Sequence, residues 1–328
     1  MVSLMDKIIT VTLNPAIDRI TEVADFHVGD VLTAKEAHVY PAGKGVNVAR
    51  ALSCMNHDVV AIGLIGKSNV DFFDTIRKVE GDVPHGTITP DWILTEHPTR
   101  TNNTFLDPVR GTETHVREIC ETTEVFPMEE VKQALQRHCG KGDVVVFAGS
   151  LPTNAPVDTL AELCLLCKQL GAKVIIDSNG EALKQSLKAS PDLIKPNGNE
   201  LQELVGHRFY TKSEIVSAAQ SLSTAYQIPY VLVSLGEEGA IIVSSEDHLS
   251  HEAMFMLKLS QTQLHAVGCG DAMVAAVSIV LLEGGDASRM LVDGTAAGVA
   301  NLMTEGPGMV SADKMKRLRE AVEVSRIF

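Results

Sequence analysis

Short runs of β-branched and other apolar residues recur along this chain, and a helical pattern follows each run. Residues 58–66, 143–147, 173–177 and 230–234 are runs of this kind. A short continuous apolar run is typical of a strand buried on both faces, and helices between successive strands allow those strands to run parallel. The sequence therefore predicts an α/β fold in which helices cover both faces of a mainly parallel central sheet.

Two stretches, residues 20–40 and 87–117, break this alternation. In the second stretch Thr, Val and Phe alternate with charged residues, which indicates antiparallel strands. No internal repeat, low-complexity tract or linker separates either stretch from the remainder of the chain. We therefore expect one continuous domain over residues 1–328, with both stretches inserted in it as a small β structure.

The composition restricts the partners and the compartment. A formal net charge of −14 argues against nucleic acid or an anionic membrane as a partner. The longest apolar run, residues 272–282, is too short to cross a bilayer, and no cationic flank at the N-terminus leads into a hydrophobic segment. The six cysteines are dispersed, as is typical of reduced thiols. We expect a cytoplasmic protein.

Gly268-Cys269-Gly270-Asp271 stands directly before the apolar run. Two glycines around one small residue allow successive backbone N–H groups to reach an anion, and the positive end of the following helix points the same way. Asp271, in the first helical turn, could accept a proton from a hydroxyl that attacks a phosphate held there. The pattern suits phosphoryl transfer, although Gly-x-Gly-Asp before a helix is also an ordinary loop with an acidic first turn.

A second cluster of polar residues lies near the N-terminus. Asn14 and Asp18 follow the strand-like run 8–12, and ligands bind at the carboxyl ends of strands in open α/β sheets. Gly43-Lys44-Gly45 then opens a helix that carries Asn47. These residues are therefore candidates for the same site as Asp271.

Together these motifs resemble the PfkB (ribokinase-like) carbohydrate kinase family, and within it the 1-phosphofructokinase and tagatose-6-phosphate kinase branch. The match covers Asn14-x-x-x-Asp18, Gly43-Lys44-Gly45-x-Asn47 and Gly268-Cys269-Gly270-Asp271. Four further motifs follow the order of the family across nearly the whole chain, beginning at Thr99, Val146, Ile194 and Val233. The chain departs from the family pattern at Cys269, where Ala or Ser is usual, and at Ala42, where a second glycine is common.

The resemblance implies a ribokinase-like fold with a small β lid over the sugar. It also implies transfer of the γ-phosphoryl group of ATP, with Mg²⁺, to a hydroxyl of a ketohexose phosphate. Residues 12–18 and 42–45 are most similar to 1-phosphofructokinases, which favours fructose 1-phosphate as the acceptor. Tagatose 6-phosphate and fructose 6-phosphate are alternatives, and so is a catalytically inactive sugar-phosphate sensor. The resemblance also allows a homodimer that forms through the β lid.

The same resemblance assigns roles to individual residues. Asp271 would be the general base, and the N–H groups of Gly268, Cys269 and Gly270 would hold the transferred phosphoryl group. Lys44 and Arg100 would bind the phosphate of the acceptor. The full set expected to contact the acceptor is Asn14, Asp18, Gly43, Lys44, Asn47, Arg100, Asn102 and Ser150. The set expected at the nucleotide is Lys195, Asn197, Ser234, Gly236 and Gly239.

Asn197 and Glu200 allow two interpretations. The resemblance implies that they organise Mg²⁺ and its water shell beside the nucleotide phosphates, and an amide and a carboxylate suit that cation. The spacing alone also predicts a capping arrangement, in which Asn197 begins a helix and Glu200 completes the cap three residues later.

The position of Cys269 bears on the reactivity of its thiol. A thiol between two glycines at a helix N-terminus has its pKa lowered, although the nearby Asp271 carboxylate opposes that shift. The sequence therefore predicts a thiol that alkylating reagents attack.

Overall fold

Residues 6–77, 85–245, 249–255 and 267–327 are described in the computed structural model of the chain, with the backbone alone described for 249–255. The described residues form two β-sheets. Their strands in chain order are β1 (Ile8–Thr12), β2 (Ala16–Glu22), β3 (Glu36–Ala42), β4 (Val59–Gly66), β5 (Ile88–Thr95), β6 (Thr101–Asp107), β7 (Thr112–Arg117), β8 (Val144–Ala148), β9 (Lys173–Asp177), β10 (Leu193–Ile194), β11 (Tyr230–Ser234), β12 (Ala240–Ser244), β13 (Leu249–Phe255) and β14 (Val322–Ile327).

The larger sheet has the strand order β14-β13-β12-β11-β10-β9-β8-β1-β4-β5. From β5 to β11 every neighbouring pair is parallel, as the sequence predicts. The remaining three pairs, out to β14, are antiparallel. The prediction that a helix follows residues 230–234 fails for an α-helix, because a single 3₁₀ turn, Gly236–Glu238, leads into β12. Gly236 and Gly239 have φ of 63° and 93°, a left-handed conformation that turns the chain back into β12.

Helices cover both faces of this sheet. They are α1 (Lys44–Cys54), α2 (Val70–Phe73), α3 (Met128–His138), α4 (Thr159–Gln169), α5 (Gly180–Ser186), α6 (Gly198–Val205), α7 (Lys212–Tyr226), α8 (Cys269–Leu282), α9 (Ala287–Leu302) and α10 (Ala312–Arg319). Ile8 packs in the core with α1 and α8, while its neighbour Ile9 packs in the core with α3 and α4. Successive residues of a strand face opposite sides, so both are buried and the strand is apolar throughout.

The smaller sheet has the order β3-β2-β6-β7. It begins at Ala16 and not at residue 20. The antiparallel pairing predicted within residues 87–117 is confirmed for β6 and β7, while β2 and β6, which come from the two different stretches, pair parallel. The assignment of residues 88–95 to this sheet is also wrong, because β5 pairs with β4 at the edge of the larger sheet. As an edge strand, β5 has two buried residues, Ile88 and Ile93, so its sequence lacks the continuous apolar run of the inner strands.

Strand ends and helix starts meet at one edge of the larger sheet. The carboxyl ends of β1, β8 and β9 lie there, as do the N-termini of α1, α6 and α8, whose residues line one cleft with the smaller sheet. Within the described ranges, no helix is long and apolar enough to cross a membrane.

Candidate active site

A cleft of about 450 Å³ separates the smaller sheet from this edge. Most of the residues singled out in the sequence line it: Asn14, Asp18, Gly43, Lys44, Asn47, Arg100, Asn102, Ser150, Lys195, Asn197, Glu200, Ser234, Gly268, Gly270 and Asp271. Cys269, Gly236 and Gly239 are not among its lining residues. The two ends of the chain, 257 residues apart at Asn14 and Asp271, thus contribute to one cavity.

Asp271 is a buried carboxylate in the first turn of α8, with 6% of its surface exposed. The side-chain amide Nδ2 of Asn47 donates to its Oδ2 at 2.8 Å. No hydrogen bond from a described residue reaches the other oxygen, Oδ1, and Asp271 lines the cleft. The carboxylate is therefore held by one oxygen and has the second available for a ligand.

The electrostatic environment of Asp271 suits a base that works near neutral pH. Burial raises its pKa to about 6, and the neighbouring Asp177 carboxylate acts in the same direction. Lys44, Asn47 and Lys195 oppose the rise. An acid with a pKa of this size is ionised at pH 7 yet still basic enough to accept a proton.

Asp177, at the end of β9, is a charged residue of the cleft that the sequence reasoning missed. Its Oδ1 lies 3.0 Å from the Nζ of Lys44 and 3.4 Å from the Nζ of Lys195, and its side chain is almost completely buried. Burial alone would lower the pKa of Lys44, but the carboxylates of Asp177, Asp271 and Glu200 raise it well above its ordinary value. The rule that pointed to Asn14, a polar residue at the end of a buried strand, would also have found Asp177.

Gly268 allows α8 to begin tightly against another loop. Its φ is 93°, and a Cβ atom there would lie 2.5 Å from the backbone nitrogen of Gly308. The first helical bond runs from the N–H of Ala272 to the carbonyl of Gly268 at 2.8 Å. The N–H groups that precede Ala272 are therefore not used by the helix, which is the arrangement that binds anions at helix N-termini.

The lowered pKa expected for the Cys269 thiol is wrong. Burial raises the pKa of its thiol to about 11, and the Asp271 carboxylate adds to the rise, while a hydrogen bond from Asn301 opposes it. The Nδ2 of Asn301 lies 3.6 Å from the sulfur. Loss of hydration outweighs the helix N-terminus here, because the thiolate would lie among buried groups beside a carboxylate. Cys269 is therefore a neutral thiol at pH 7.

One row of residues crosses three strands of the smaller sheet. Asp18 on β2 pairs with Asn102 on β6, and Asn102 pairs with Arg117 on β7. Residues opposite one another in a sheet share a face, and here the Nδ2 of Asn102 donates to Asp18 Oδ1 at 2.9 Å. All three residues line the cleft, so this face of the smaller sheet closes its outer side.

The two arginines of the cleft differ in their partners. Arg100 donates at 3.2 Å to three backbone carbonyls, those of Asn14, Pro15 and Glu118. Arg117 is exposed and makes no hydrogen bond or salt bridge to any residue that the structure describes. Its guanidinium is therefore the more available of the two for an anionic ligand. Sequence reasoning found Arg100 and missed Arg117, because only the strand register places Arg117 beside the cleft.

The capping arrangement predicted for Asn197 and Glu200 is present. Asn197 Oδ1 accepts from the backbone N–H of Glu200 at 2.9 Å, and Glu200 Oε2 accepts from that of Asn197 at 2.8 Å. Both residues line the cleft, and the second oxygen of Glu200 has no hydrogen-bond partner among the described residues. The cap therefore uses one oxygen of the Glu200 carboxylate and leaves the other available for a ligand.

The oxygen atoms of Asn197 and Glu200 fit a Mg²⁺ ion that is also bound by substrate phosphates and water. They do not fit a site in which the protein supplies every ligand. Among the described residues, no group of three or more His, Cys, Asp or Glu could hold a metal ion. Mg²⁺ keeps several waters and is commonly bound by one or two carboxylates together with phosphates of a substrate. The open oxygen of Glu200 is a donor of that kind.

Ser234, Gly236 and Gly239 lie at the end of β11. The backbone N–H of Ser234 donates to the carbonyl of Pro196 at 3.1 Å, which places Ser234 beside the cap of α6. Gly236 and Gly239 shape the turn that follows, where the N–H of Leu235 donates to the Gly239 carbonyl at 2.9 Å. This turn adjoins the cleft without lining it.

Asn14 links the first strand to the centre of the sheet. Its Nδ2 donates to Ser150 Oγ at 3.1 Å and to the carbonyl of Leu151 at 3.3 Å.

The model of the pfkB family of carbohydrate kinases matches residues 9–314, which include Asn14 and every other residue of the cleft. The chain belongs to this family. As a pfkB family carbohydrate kinase it is a phosphotransferase that acts on an alcohol group.

Relatives of this pfkB family member extend over nearly its whole length. A 1-phosphofructokinase of Haemophilus influenzae is 29% identical over 98% of this chain and 99% of its own. A tagatose-6-phosphate kinase of Staphylococcus epidermidis is 28% identical over 98% of this chain and 100% of its own. The crystal structure of phosphofructokinase-2 from Escherichia coli with potassium is 26% identical, covers 96% of this chain and 99% of its own, and superposes with a TM-score of 0.87. The predicted ribokinase-like fold is confirmed.

Proposed function

We propose that this protein transfers the γ-phosphoryl group of ATP to a hydroxyl of a ketohexose phosphate, most readily fructose 1-phosphate to give fructose 1,6-bisphosphate. The observation that carries the proposal is Asp271, a buried carboxylate with one open oxygen at the start of α8, in a cleft that also holds cationic side chains. Tagatose 6-phosphate and fructose 6-phosphate are the alternative acceptors, since relatives named for different ketohexose phosphates resemble this chain to a similar degree.

Asp271 would act on the acceptor hydroxyl. Its Oδ1 takes the proton as the hydroxyl oxygen attacks, while Asn47 holds Oδ2. The N–H groups of Gly268, Cys269 and Gly270 donate to the oxygens of the group in transfer, on which charge develops. Because these donors are fixed by the backbone, they need no rearrangement at the moment of reaction.

The acceptor would lie between the smaller sheet and α1. Asp18, Gly43 and Asn47 contact its hydroxyls, and Asn14, Asn102 and Ser150 complete that side of the cleft. Lys44 and Arg100 bind the phosphate that the acceptor already carries. We add Arg117 to this set, since its guanidinium has no partner among the described residues. Arginine and phosphate form paired hydrogen bonds that also fix orientation.

ATP would occupy the other side of the cleft. Lys195 and Asn197 contact its phosphates, and Ser234, Gly236 and Gly239 adjoin the rest of the nucleotide. Mg²⁺ would be held by Asn197 and Glu200, and when bound it neutralises charge on the phosphate oxygens.

The smaller sheet would serve as a lid inserted in a single domain that spans residues 1–328. A homodimer formed through the lid is part of the proposal and would cover Val39 and Val116, which are exposed on this sheet. Light scattering of the purified protein tests that pairing. A cytoplasmic location accompanies the proposal and is supported by the six cysteines, all of which are free thiols.

A steady-state assay of ADP formation tests the proposed function. The purified protein is supplied with Mg²⁺, ATP and, in turn, fructose 1-phosphate, tagatose 6-phosphate and fructose 6-phosphate. We expect the highest kcat/KM with fructose 1-phosphate and a large loss of turnover in Asp271→Asn. Saturable binding of a sugar phosphate without ADP formation would overturn the proposal in favour of a sensor.

A further inference from the structure

Arg50 is a buried arginine on α1 whose side chain joins three parts of the molecule. It is 6% exposed. Its Nη1 donates to the side-chain Oδ1 of Asn47 at 3.2 Å and to the backbone carbonyl of Pro307 at 2.6 Å. Its Nη2 donates to the backbone carbonyl of Pro41 at 2.5 Å. A buried guanidinium with its donors shared in this way is fixed in orientation.

Each of the three acceptors adjoins the cleft from a different side. Asn47 contacts Asp271 directly. Pro41 lies near the end of β3, two residues before Gly43, which is the N-cap of α1. Pro307 precedes Gly308, whose backbone nitrogen would lie 2.5 Å from a Cβ at Gly268. Arg50 therefore connects the end of β3 in the smaller sheet, the loop beside the start of α8, and Asn47, the hydrogen-bond partner of Asp271.

The contact between Arg50 and Asn47 fixes the same orientation of the amide that the Asp271 carboxylate requires. A guanidinium can only donate hydrogen bonds, so it takes the Oδ1 of Asn47. The Nδ2 end is then turned toward Asp271, to whose Oδ2 it donates at 2.8 Å. Without Arg50, the Asp271 carboxylate alone would hold the amide, and the Nδ2 donor would be less firmly fixed.

We propose that Arg50 is a positioning residue for phosphoryl transfer, which fixes the Asn47 amide so that Asp271 stays ionised with one oxygen open to the acceptor. The inference rests on the proposed function only for the role of Asp271 as the base. The hydrogen-bonded chain from Arg50 through Asn47 to Asp271 is independent of which sugar phosphate is the acceptor.

The other charges that face Asp271 set the direction of the expected change. Asp177 faces it from the end of β9, Lys44 from α1 and Lys195 from the segment after β10. Substitution of Arg50 leaves all three in place. Loss of a nearby positive charge and loss of the fixed Asn47 donor both disfavour the carboxylate. The pKa of Asp271, about 6 in the wild-type protein, should therefore rise.

The first experiment measures ionisation without turnover. Carbon-13 NMR of protein labelled at aspartate carboxyl carbons follows Asp271, whose signal is identified by its loss in Asp271→Asn. In Arg50→Met we expect the Asp271 titration midpoint to move upward by about one unit. Arg50→Lys keeps the charge but cannot span three acceptors, so a smaller upward shift is expected. Should Arg50→Met fail to fold, Arg50→Lys provides the same readout.

A control and a double substitution separate positioning from general destabilisation. Arg319→Met removes an arginine that pairs with Asp293 on α9 and should leave the Asp271 midpoint unchanged. In an Asn47→Ala background, Arg50→Lys should cause no further shift, because its effect passes through Asn47. An unchanged midpoint in both Arg50 variants, or a shift that persists in the Asn47→Ala background, would overturn the inference. Absence of ADP formation by the wild-type protein would overturn the proposed function alone, since the titration does not depend on it.

Discussion

Lys44 and Asp177 form an ion pair inside the cleft, with 3.0 Å between the ammonium Nζ and the carboxylate Oδ1. The side chain of Asp177 is 1% exposed, and Lys195 lies 3.4 Å from the same oxygen. A buried carboxylate with two ammonium groups is far less costly than an unpaired one. The pair therefore holds both lysines at the floor of the cleft, close to Asp271.

Lys44→Ala should weaken use of the sugar phosphate more than use of ATP. A charge-assisted contact is worth roughly 1.5–3 kcal/mol, so we expect KM for the sugar phosphate to rise at least about tenfold and KM for ATP to change little. Lys132→Ala, which removes a lysine paired with Glu162 on α4, is the matched control. Equal effects on both substrates in steady-state kinetics would place Lys44 at the nucleotide.

Asp271→Asn should nearly abolish turnover and leave both substrates able to bind. The amide keeps the size of the side chain but cannot accept the hydroxyl proton, and general bases contribute on the order of 10²–10⁴-fold in rate. Initial rates give kcat, and calorimetry gives the two dissociation constants. A variant with more than about a tenth of the wild-type kcat would remove Asp271 from the role of base.

The parallel sheet was predictable because its signal is local. Strands β1, β4, β8 and β9 are each buried on both faces, and a continuous apolar run reports that environment directly. The smaller sheet was predicted less well. Strand β5 is an edge strand without a continuous apolar run, and nothing in residues 88–95 alone distinguishes an edge of the larger sheet from a strand of the smaller one.

The difference between local signals and contacts of distant segments also explains which site residues could be found from the sequence. Gly268 and Gly43 were found because a required backbone conformation leaves a glycine in the sequence. Arg117 and Arg50 were missed because their roles arise from contacts between distant segments. The acceptors of Arg50 include a carbonyl 257 residues away, at Pro307, and no local pattern encodes that contact.

Arg117→Ala should raise KM for the sugar phosphate with little change in kcat. Arg117 is exposed at the end of β7 and lines the cleft without a hydrogen-bond partner among the described residues, so its removal should leave the fold intact. We expect a rise of about tenfold, as for loss of one charged hydrogen bond. Arg110→Ala, at the tip of the same hairpin and paired with Asp25, serves as the control. Unchanged kinetics in Arg117→Ala would exclude it from the phosphate site.

The pH dependence should report the ionisation of Asp271. Burial raises its pKa to about 6, so kcat/KM should fall as the pH drops below that value and the base becomes protonated. Stability should change in the opposite sense. Because the folded state binds the proton more tightly than the unfolded state, the stabilisation from this group is lost as the pH rises through about 6.

Two variants test whether ionisation of Asp271 causes the fall in kcat/KM at low pH, the acidic limb of the pH profile. Asp293→Asn removes another aspartate whose pKa burial raises, on α9, and should leave the limb in place. The fall in stability between pH 4 and pH 6, followed by urea denaturation, should be smaller in Asp271→Asn. An acidic limb of wild-type kcat/KM near pH 4 would contradict the raised pKa of Asp271.

Cys269 should resist alkylation at neutral pH. Burial raises the pKa of its thiol to about 11, so only about one molecule in 10⁴ carries the reactive thiolate at pH 7. We expect iodoacetamide to leave activity intact over the time in which free cysteine reacts completely, with or without Mg²⁺ and ATP. Cys269→Ala should keep most of the activity, because the loop donates through its backbone N–H groups. Rapid inactivation that Mg²⁺ and ATP slow, and that Cys269→Ala abolishes, would show instead that the helix N-terminus outweighs burial at this thiol.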